Sequence, residues 1–352
     1  MVKSGMKMDI RKQQVLMAII ADYISTAEPV GSRTISRKFD LGVSPATIRN
    51  EMSDLEDLGF IEQPHTSAGR IPSQKGYRYY VDFLMKKKDL TSQEEEIIRR
   101  GYEKKIKDIG QVVNHTSSIL SQMTNFASMI ITPRADTSAF KHIKLVLMNP
   151  GQAMIIVVLS TGNLQHNMIQ ISEGVTQVDL DTISDVFNAK LQGLTIDKIK
   201  LTLIREIYFE LSRHKNILDL AMHLIQQGLT LNREDKIYMG GVFNILNQPE
   251  FHNIEKVKTL LGLLEHEDLL RKLLESGTSE EGVTVRIGNE MNREEVKECS
   301  VVVATYHVDG KPVGSMGVLG PTRMDYAWVI SVVEHMTRNL SDTLEKMFKG
   351  WR

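Results

Sequence analysis

Cysteine is almost missing from this chain of 352 residues, with Cys299 its one example. One thiol cannot close an intrachain disulfide, so the disulfide-stapled secreted folds are excluded. Long apolar runs are missing too: Met154–Leu159 and Val301–Ala304 fall far short of a bilayer's thickness. Residues 1–14 lack the apolar stretch of a secretory signal. A cytoplasmic location with no membrane partner is expected. Chemistry-bearing constellations are equally scarce. The 10 histidines form no HExxH pattern, no Cys/His cluster exists, and there is no P-loop. Gly314, Gly317 and Gly320 have the wrong spacing for a dinucleotide loop and read as strand and turn glycines. Cys299 reads as a small buried hydrophobe, and His266 among Glu265, Glu267 and Asp268 as a solvated helix end. No catalytic residue, no metal and no cofactor is expected, and an enzyme is not the expected class.

What the chain does have is a lopsided charge. The overall balance is −1, yet residues 1–88 carry 14 Lys/Arg against 10 Asp/Glu, while the remainder carries 29 against 34. A basic head on an acidic body suggests that the head meets a polyanion. At 41% apolar and 25% charged, the composition is that of a soluble globular protein, and the length allows two or three domains.

The head has a readable order. Apolar pairs at Val15/Leu16, Ile19/Ile20 and Tyr23/Ile24 predict a helix over residues 8–24, which Pro29 and Gly31 break. Ser32 is placed to cap a short second helix with Ile35 and Phe39 inward. After a turn at residues 40–43, Ser44-Pro45 reads as N-cap and first residue of a third helix, ended by Gly59. Phe60–Gln63 and Gly69–Ile71 then form a hairpin with a polar tip. Ser73 caps a fourth helix with Tyr77, Tyr80, Val81 and Leu84 on one face, and residues 86–89 read as a linker. Beyond it come a long helix over about 92–131 and strands at Lys141–Met148, Gln152–Ser160 and Leu164–Ile171. A helical block follows over 175–275, then strands at Val283–Ile287, Cys299–His307 and Lys311–Leu319. Thr322 and Asp325, at capping-box spacing, open a last helix. The fold class is α+β multidomain, with the helical middle block inserted into an α+β domain.

Three short helices and a hairpin are the parts of a winged helix-turn-helix, whose later helix enters the major groove. With Ile48 inward, Met52 and Leu55 share its side, and Ala46, Asn50 and Ser53 lie opposite, flanked by Thr47 and Arg49. Such side chains suit base edges: Asn pairs with adenine, Arg with guanine, and Ala or Thr methyls meet thymine. Glu51, Asp54, Glu56 and Asp57 all sit in the second half of the helix, where phosphates would repel them. The candidate DNA-binding residues are therefore Ser44, Pro45, Ala46, Thr47, Arg49 and Asn50. Arg33 and Arg70 are placed to hold phosphates, and His65, Thr66 and Ser67 to touch the minor groove or backbone from the wing tip. Small folds of this kind also serve as protein-binding modules, an alternative the pattern leaves open.

The run from Gly31 to Val81, GSRTISRKFDLGVSPATIRNEMSDLEDLGFIEQPHTSAGRIPSQKGYRYYV, closely resembles the bacterial heat-inducible transcription repressor family, HrcA. Further likenesses are GVLGPTRMDY from Gly317 to Tyr326, Leu120–Ala127, Gly241–Glu250 and Leu263–Glu265, so that nearly the whole chain is covered. Ile287-Gly288-Asn289-Glu290 departs from the family, which more often has an acidic residue after the glycine. The resemblance implies a winged helix over 1–88, a GAF-like domain from 89–174 and 276–352, and an inserted dimerisation domain over 175–275. It further implies a homodimer on an inverted-repeat operator of double-stranded DNA upstream of chaperone operons, with temperature modulating repression. The chaperonin GroEL is the implied partner that helps such repressors reach or keep their active form. A GAF-like part also raises the alternative of a small-molecule sensor.

Overall fold

The computed structural model describes residues 8–65, 68–102, 109–131, 139–159, 164–194, 206–207, 237–251, 253–275 and 282–350. The apolar pairs of the first segment form helix α1 (Ile10–Thr26), capped by the Asp9 side chain, with Val15, Leu16, Ile19 and Ile20 buried. Helix α2 (Ser32–Lys38) buries Ile35, but Ser32 is its first residue and Gly31 its cap, without a side-chain bond. Helix α3 (Pro45–Asp57) starts on the Ser44 cap with Pro45 in the first turn and buries Ile48, Met52 and Leu55. Gly59 then turns the chain at φ +74°, a region that glycine enters without a side-chain clash. Strands β1 (Ile61–Glu62) and β2 (Ile71–Pro72) pair antiparallel as a short wing. Helix α4 (Gln74–Tyr79), capped by Ser73, runs into a π-helical turn over Tyr80–Leu84.

The expected single helix over 92–131 is two helices and a strand: α5 (Ser92–Tyr102), α6 (Ile109–Thr124) and β3 (Ala127–Ile131). Asn125 takes a left-handed backbone at φ 55°, which stops α6. The β-branched residues that follow pair instead with a neighbouring strand. Strands β4 (Phe140–Asn149), β5 (Gln152–Leu159) and β6 (Leu164–Gln170) match the expected β runs and form an antiparallel meander of their own. Helix α7 (Gln177–Leu191) packs Leu180, Ile183, Phe187 and Leu191 against Ile143, Leu145, Ile155 and Val157. It also satisfies the open edge of β4. Asn188 exchanges two hydrogen bonds with Ile143, Ser184 Oγ accepts from Leu145 N at 3.0 Å, and Gln177 Oε1 accepts from Leu147 N at 2.7 Å. An edge covered in this way offers no template for a foreign strand.

Strand β7 (Ile237–Gly240) is unforeseen within the helical block. Helices α8 (Ile254–Leu264) and α9 (Glu267–Glu275) follow, then β8 (Val283–Ile287), β9 (Cys299–Val308), β10 (Lys311–Pro321) and α10 (Tyr326–Gly350). Helix α10 starts after Asp325, whose Oδ1 accepts from Trp328 N at 3.2 Å; Thr322 N instead donates to Glu298 O, so Thr322 is not its cap.

A five-stranded antiparallel sheet in the order β7-β3-β10-β9-β8 results. Alternate residues of β9 face opposite layers: Val302 and Ala304 meet α6 and α10, while Val301 and Val303 meet α8 and α9. Burial on both faces explains the unbroken apolar run there. Gly314, Gly317 and Gly320 lie within β10, where Tyr306, Val302 and Phe126 leave no room for a side chain. Strands β4–β6 and α7 stand apart from the large sheet, whereas β7 is an edge strand of that sheet and α8 and α9 pack on its other face. Residues 195–205 and 208–236 of the block expected to be helical lie outside the described residues.

Residues 86–89 form no helix or strand and are exposed, as a linker would be, but no polar gap separates head from body. A single apolar cluster runs from Val15, Ile48 and Tyr77 of the head to Val302, Tyr326 and Leu340. The Tyr77 and Tyr326 rings meet at a tilt of 57° with centroids 5.8 Å apart.

Burial pushes the Cys299 thiol up to about 12 from an ordinary value of 9.0. The raised value favours the neutral thiol in the folded state, so its stabilisation is complete below pH 9.0 and is lost as pH rises toward about 12. Alkylation at pH 8 followed by mass spectrometry should show native Cys299 reacting at least about tenfold slower than in urea. Equal rates would contradict a buried thiol.

Candidate nucleic-acid interface

The front of α3 is held out of the core by its own capping chemistry. Ser44 Oγ accepts from Thr47 N at 3.2 Å and lies 3.0 Å from Thr47 Oγ1, which fixes the first turn without another element. With Ile48 fully buried beneath, Ser44, Pro45, Ala46, Arg49 and Asn50 are left exposed and Thr47 half-buried. Arg33, at the start of α2, is exposed as well. This end of the helix carries unpaired backbone N–H groups and a partial positive charge, which favour phosphate.

The rear of α3 is anchored. Lys12 of α1 reaches Glu51 Oε2 at 3.0 Å and Asp54 Oδ2 at 2.9 Å, and Arg11 adds a longer contact to Glu51. Asp54 and then Glu51 hold the Lys12 ammonium above its ordinary range. Glu56 is met by Arg70 of the wing, with Nη2–Oε2 2.7 Å and Nε–Oε2 2.9 Å. The acids at the rear therefore do more than repel phosphate: three of the four are tied to basic side chains, and Glu51 is buried.

Arg70, expected to hold a phosphate, has its guanidinium turned towards Glu56. Its backbone exchanges hydrogen bonds of 2.9 Å with Val30, which adds the loop before α2 to the wing. Gly69 makes that approach possible, since a Cβ there would lie 2.5 Å from Val30 O. His65 is exposed at the wing tip and its carbonyl accepts from Ala68 N at 2.8 Å. Thr66 and Ser67 lie outside the described residues. A second charged tie, Lys38 to the buried Asp22 at 2.6 Å, joins α2 to α1.

Sequence reasoning missed the residues that seat this head on the body. Gln74 Nε2 donates to Lys297 O and its Oε1 accepts from Asn289 N, both at 2.9 Å. Arg78 pairs with Glu290 through Nε and Nη2, and Nη2 also donates to Val285 O at 2.7 Å. The 287–290 loop that departs from the family pattern is thus the head's seat, through a backbone N–H and a glutamate carboxylate. Long-range partners of this kind leave no local spacing to read.

A family model described as the HrcA protein C terminal domain matches residues 110–330. The heat-inducible transcription repressor HrcA of Pelotomaculum thermopropionicum is 63% identical, over 98% of this chain and 99% of that protein. The protein of the same name from Desulforamulus reducens is 60% identical, over 98% and 99%. A crystal structure described as that of a hypothetical protein is similar with a TM-score of 0.65 at 24% identity, covering 97% of this chain and all of that one, and shows the same fold.

Two substitutions separate anchoring from exposure. Ser44→Ala removes the cap and should lower stability by about 1 kcal/mol in urea unfolding. Gly69→Ala forces Val30 and the wing apart and should lose more; a change that leaves the unfolding midpoint untouched would contradict the close packing seen there.

Proposed function

The chain belongs to the HrcA family of heat-inducible transcription repressors, and we propose from that premise that it represses chaperone operons by binding an inverted-repeat operator as a homodimer. One observation carries the reading: α3 exposes Arg49, Asn50 and Ala46 at its positive end while its acidic rear half is tied down by Lys12 and Arg70. Only the front can enter a major groove, with Asn50 and Arg49 facing base edges and Ser44, Thr47 and Arg33 near the backbone. His65, with Thr66 and Ser67, is assigned to the flanking minor groove or backbone. Arg70 acts mainly by holding the wing against α3, which aims the tip.

The five-stranded sheet with its helices is the GAF-like domain of this scheme, and the chain between β3 and β7, with its own sheet and core, is the inserted part that carries the dimer contact. A two-fold protein suits a palindromic site because each copy presents one helix to one half-site. Loss of operator affinity on mild heating, restored by the chaperonin GroEL, would make repression respond to temperature; the family resemblance supports this part. No helix among the described residues is long and apolar enough to cross a membrane, and we place the protein in the cytoplasm.

A salt-series titration with palindromic and scrambled duplexes tests the proposal. Affinity should fall linearly on a log–log plot as salt rises, with clear preference for the palindrome. Arg49→Ala should lose about 1–3 kcal/mol on the palindrome and relax the base preference, whereas Arg33→Ala should weaken all duplexes alike. Equal binding of both duplexes by the unaltered protein would remove the reading.

A further inference from the structure

We propose that Arg323 is a positioning residue for operator binding, a clasp that fixes the angle of the head on the body; the inference rests on the two-fold operator reading above. Arg323 lies in the turn between β10 and α10, far in sequence from the head. Its Nη1 donates to Ile24 O at 2.6 Å, its Nε to Glu250 Oε1 at 2.7 Å and its Nη2 to Gln248 Oε1 at 3.2 Å. The side chains of Arg323 and Glu250 are only 12% and 17% exposed, so this pair is largely shielded from solvent screening.

Ile24 belongs to the last turn of α1, where carbonyls have no partner within the helix and the dipole is negative. A cation there is favourable, and in this fold the cation comes from the body. Glu250 and Gln248 lie on the segment after β7, where the chain returns from the stretch between β3 and β7. One planar fork therefore joins the end of the head's first helix to that returning segment. Lysine, a single point charge, cannot hold both partners in fixed directions. The Arg323 backbone is held by its neighbour: Tyr326 Oη donates to Thr322 O at 2.7 Å and pairs with Ser300 Oγ at the same distance.

The second seat of the head, Gln74 and Arg78 on the 287–290 loop, involves a different element. One seat alone permits a swivel; two seats on α1 and α4 fix an orientation. Two heads in a symmetric dimer then hold their α3 helices at one spacing, which makes the second half-site an intramolecular event. Loss of the clasp leaves each head able to bind its half-site but spreads the spacing.

The test compares the full-length parent, Arg323→Ala, Arg323→Lys and Glu250→Gln on three duplexes: one half-site, the inverted repeat, and the repeat with its halves moved apart by half a helical turn. Arg323→Ala should bind the half-site within about twofold of the parent yet lose about tenfold or more on the inverted repeat. Its preference for the native spacing over the altered one should shrink, with Arg323→Lys intermediate. Glu250→Gln, which keeps the partner's shape, should shift the same way and decides the matter if Arg323→Ala fails to fold by circular dichroism. Parental affinity and spacing preference in folded variants would overturn the clasp. A parent that fails to distinguish the inverted repeat from a scrambled duplex would overturn the operator reading instead.

Discussion

The contact between Tyr77 and Tyr326 carries the organisation of the molecule. These two buried rings, one from the head's α4 and one from the start of α10, join the small core of the head to the large sheet. A head of four helices and a wing of two two-residue strands has little apolar surface to bury by itself. By sharing a core with the body it gains that burial and also a fixed seat, because ring-on-ring packing in a dense interior tolerates little sliding. Polar ties then select one orientation among those the apolar contact would allow: Arg78 with Glu290, Gln74 with the 287–290 loop, and Arg323 with Ile24 O.

On that rigid base the two ends of α3 have opposite duties. Its front is fixed by Ser44 and Pro45, which use only local backbone groups, so its outward residues remain available. Its rear is fixed by Lys12 and Arg70, which use charges from α1 and the wing. Arg70 is the clearest case, its guanidinium paired with Glu56 and its backbone with Val30.

The smaller sheet follows different rules. Its edge strand β4 is closed by amide and hydroxyl side chains of α7, and its apolar side is closed by the same helix. That arrangement gives β4–β6 and α7 a core of their own.

Much of the head was legible in the residues. The four-residue apolar step of α1, the Ser-Pro start of α3, Gly59 after it and Ser73 before α4 all act within one or two turns of their own position, so their order along the chain already contains the interaction. The same holds for the β runs at 140–170 and 283–319, where alternation and turn chemistry are local. The Gly31–Val81 run and the Gly317–Tyr326 segment were enough to indicate the family, since they are carried by residue order alone. Tertiary structure decided the remainder. Whether Phe126–Ile131 continued a helix or joined a sheet depended on β10, about 190 residues away in the chain. So did the division of strands between two sheets, the alliance of Arg70 with Glu56, and the conversion of Arg78 and Arg323 into seats for the head. Each of these rests on a partner brought close only by folding, and electrostatic and packing energies depend on distance in space, not on separation along the chain.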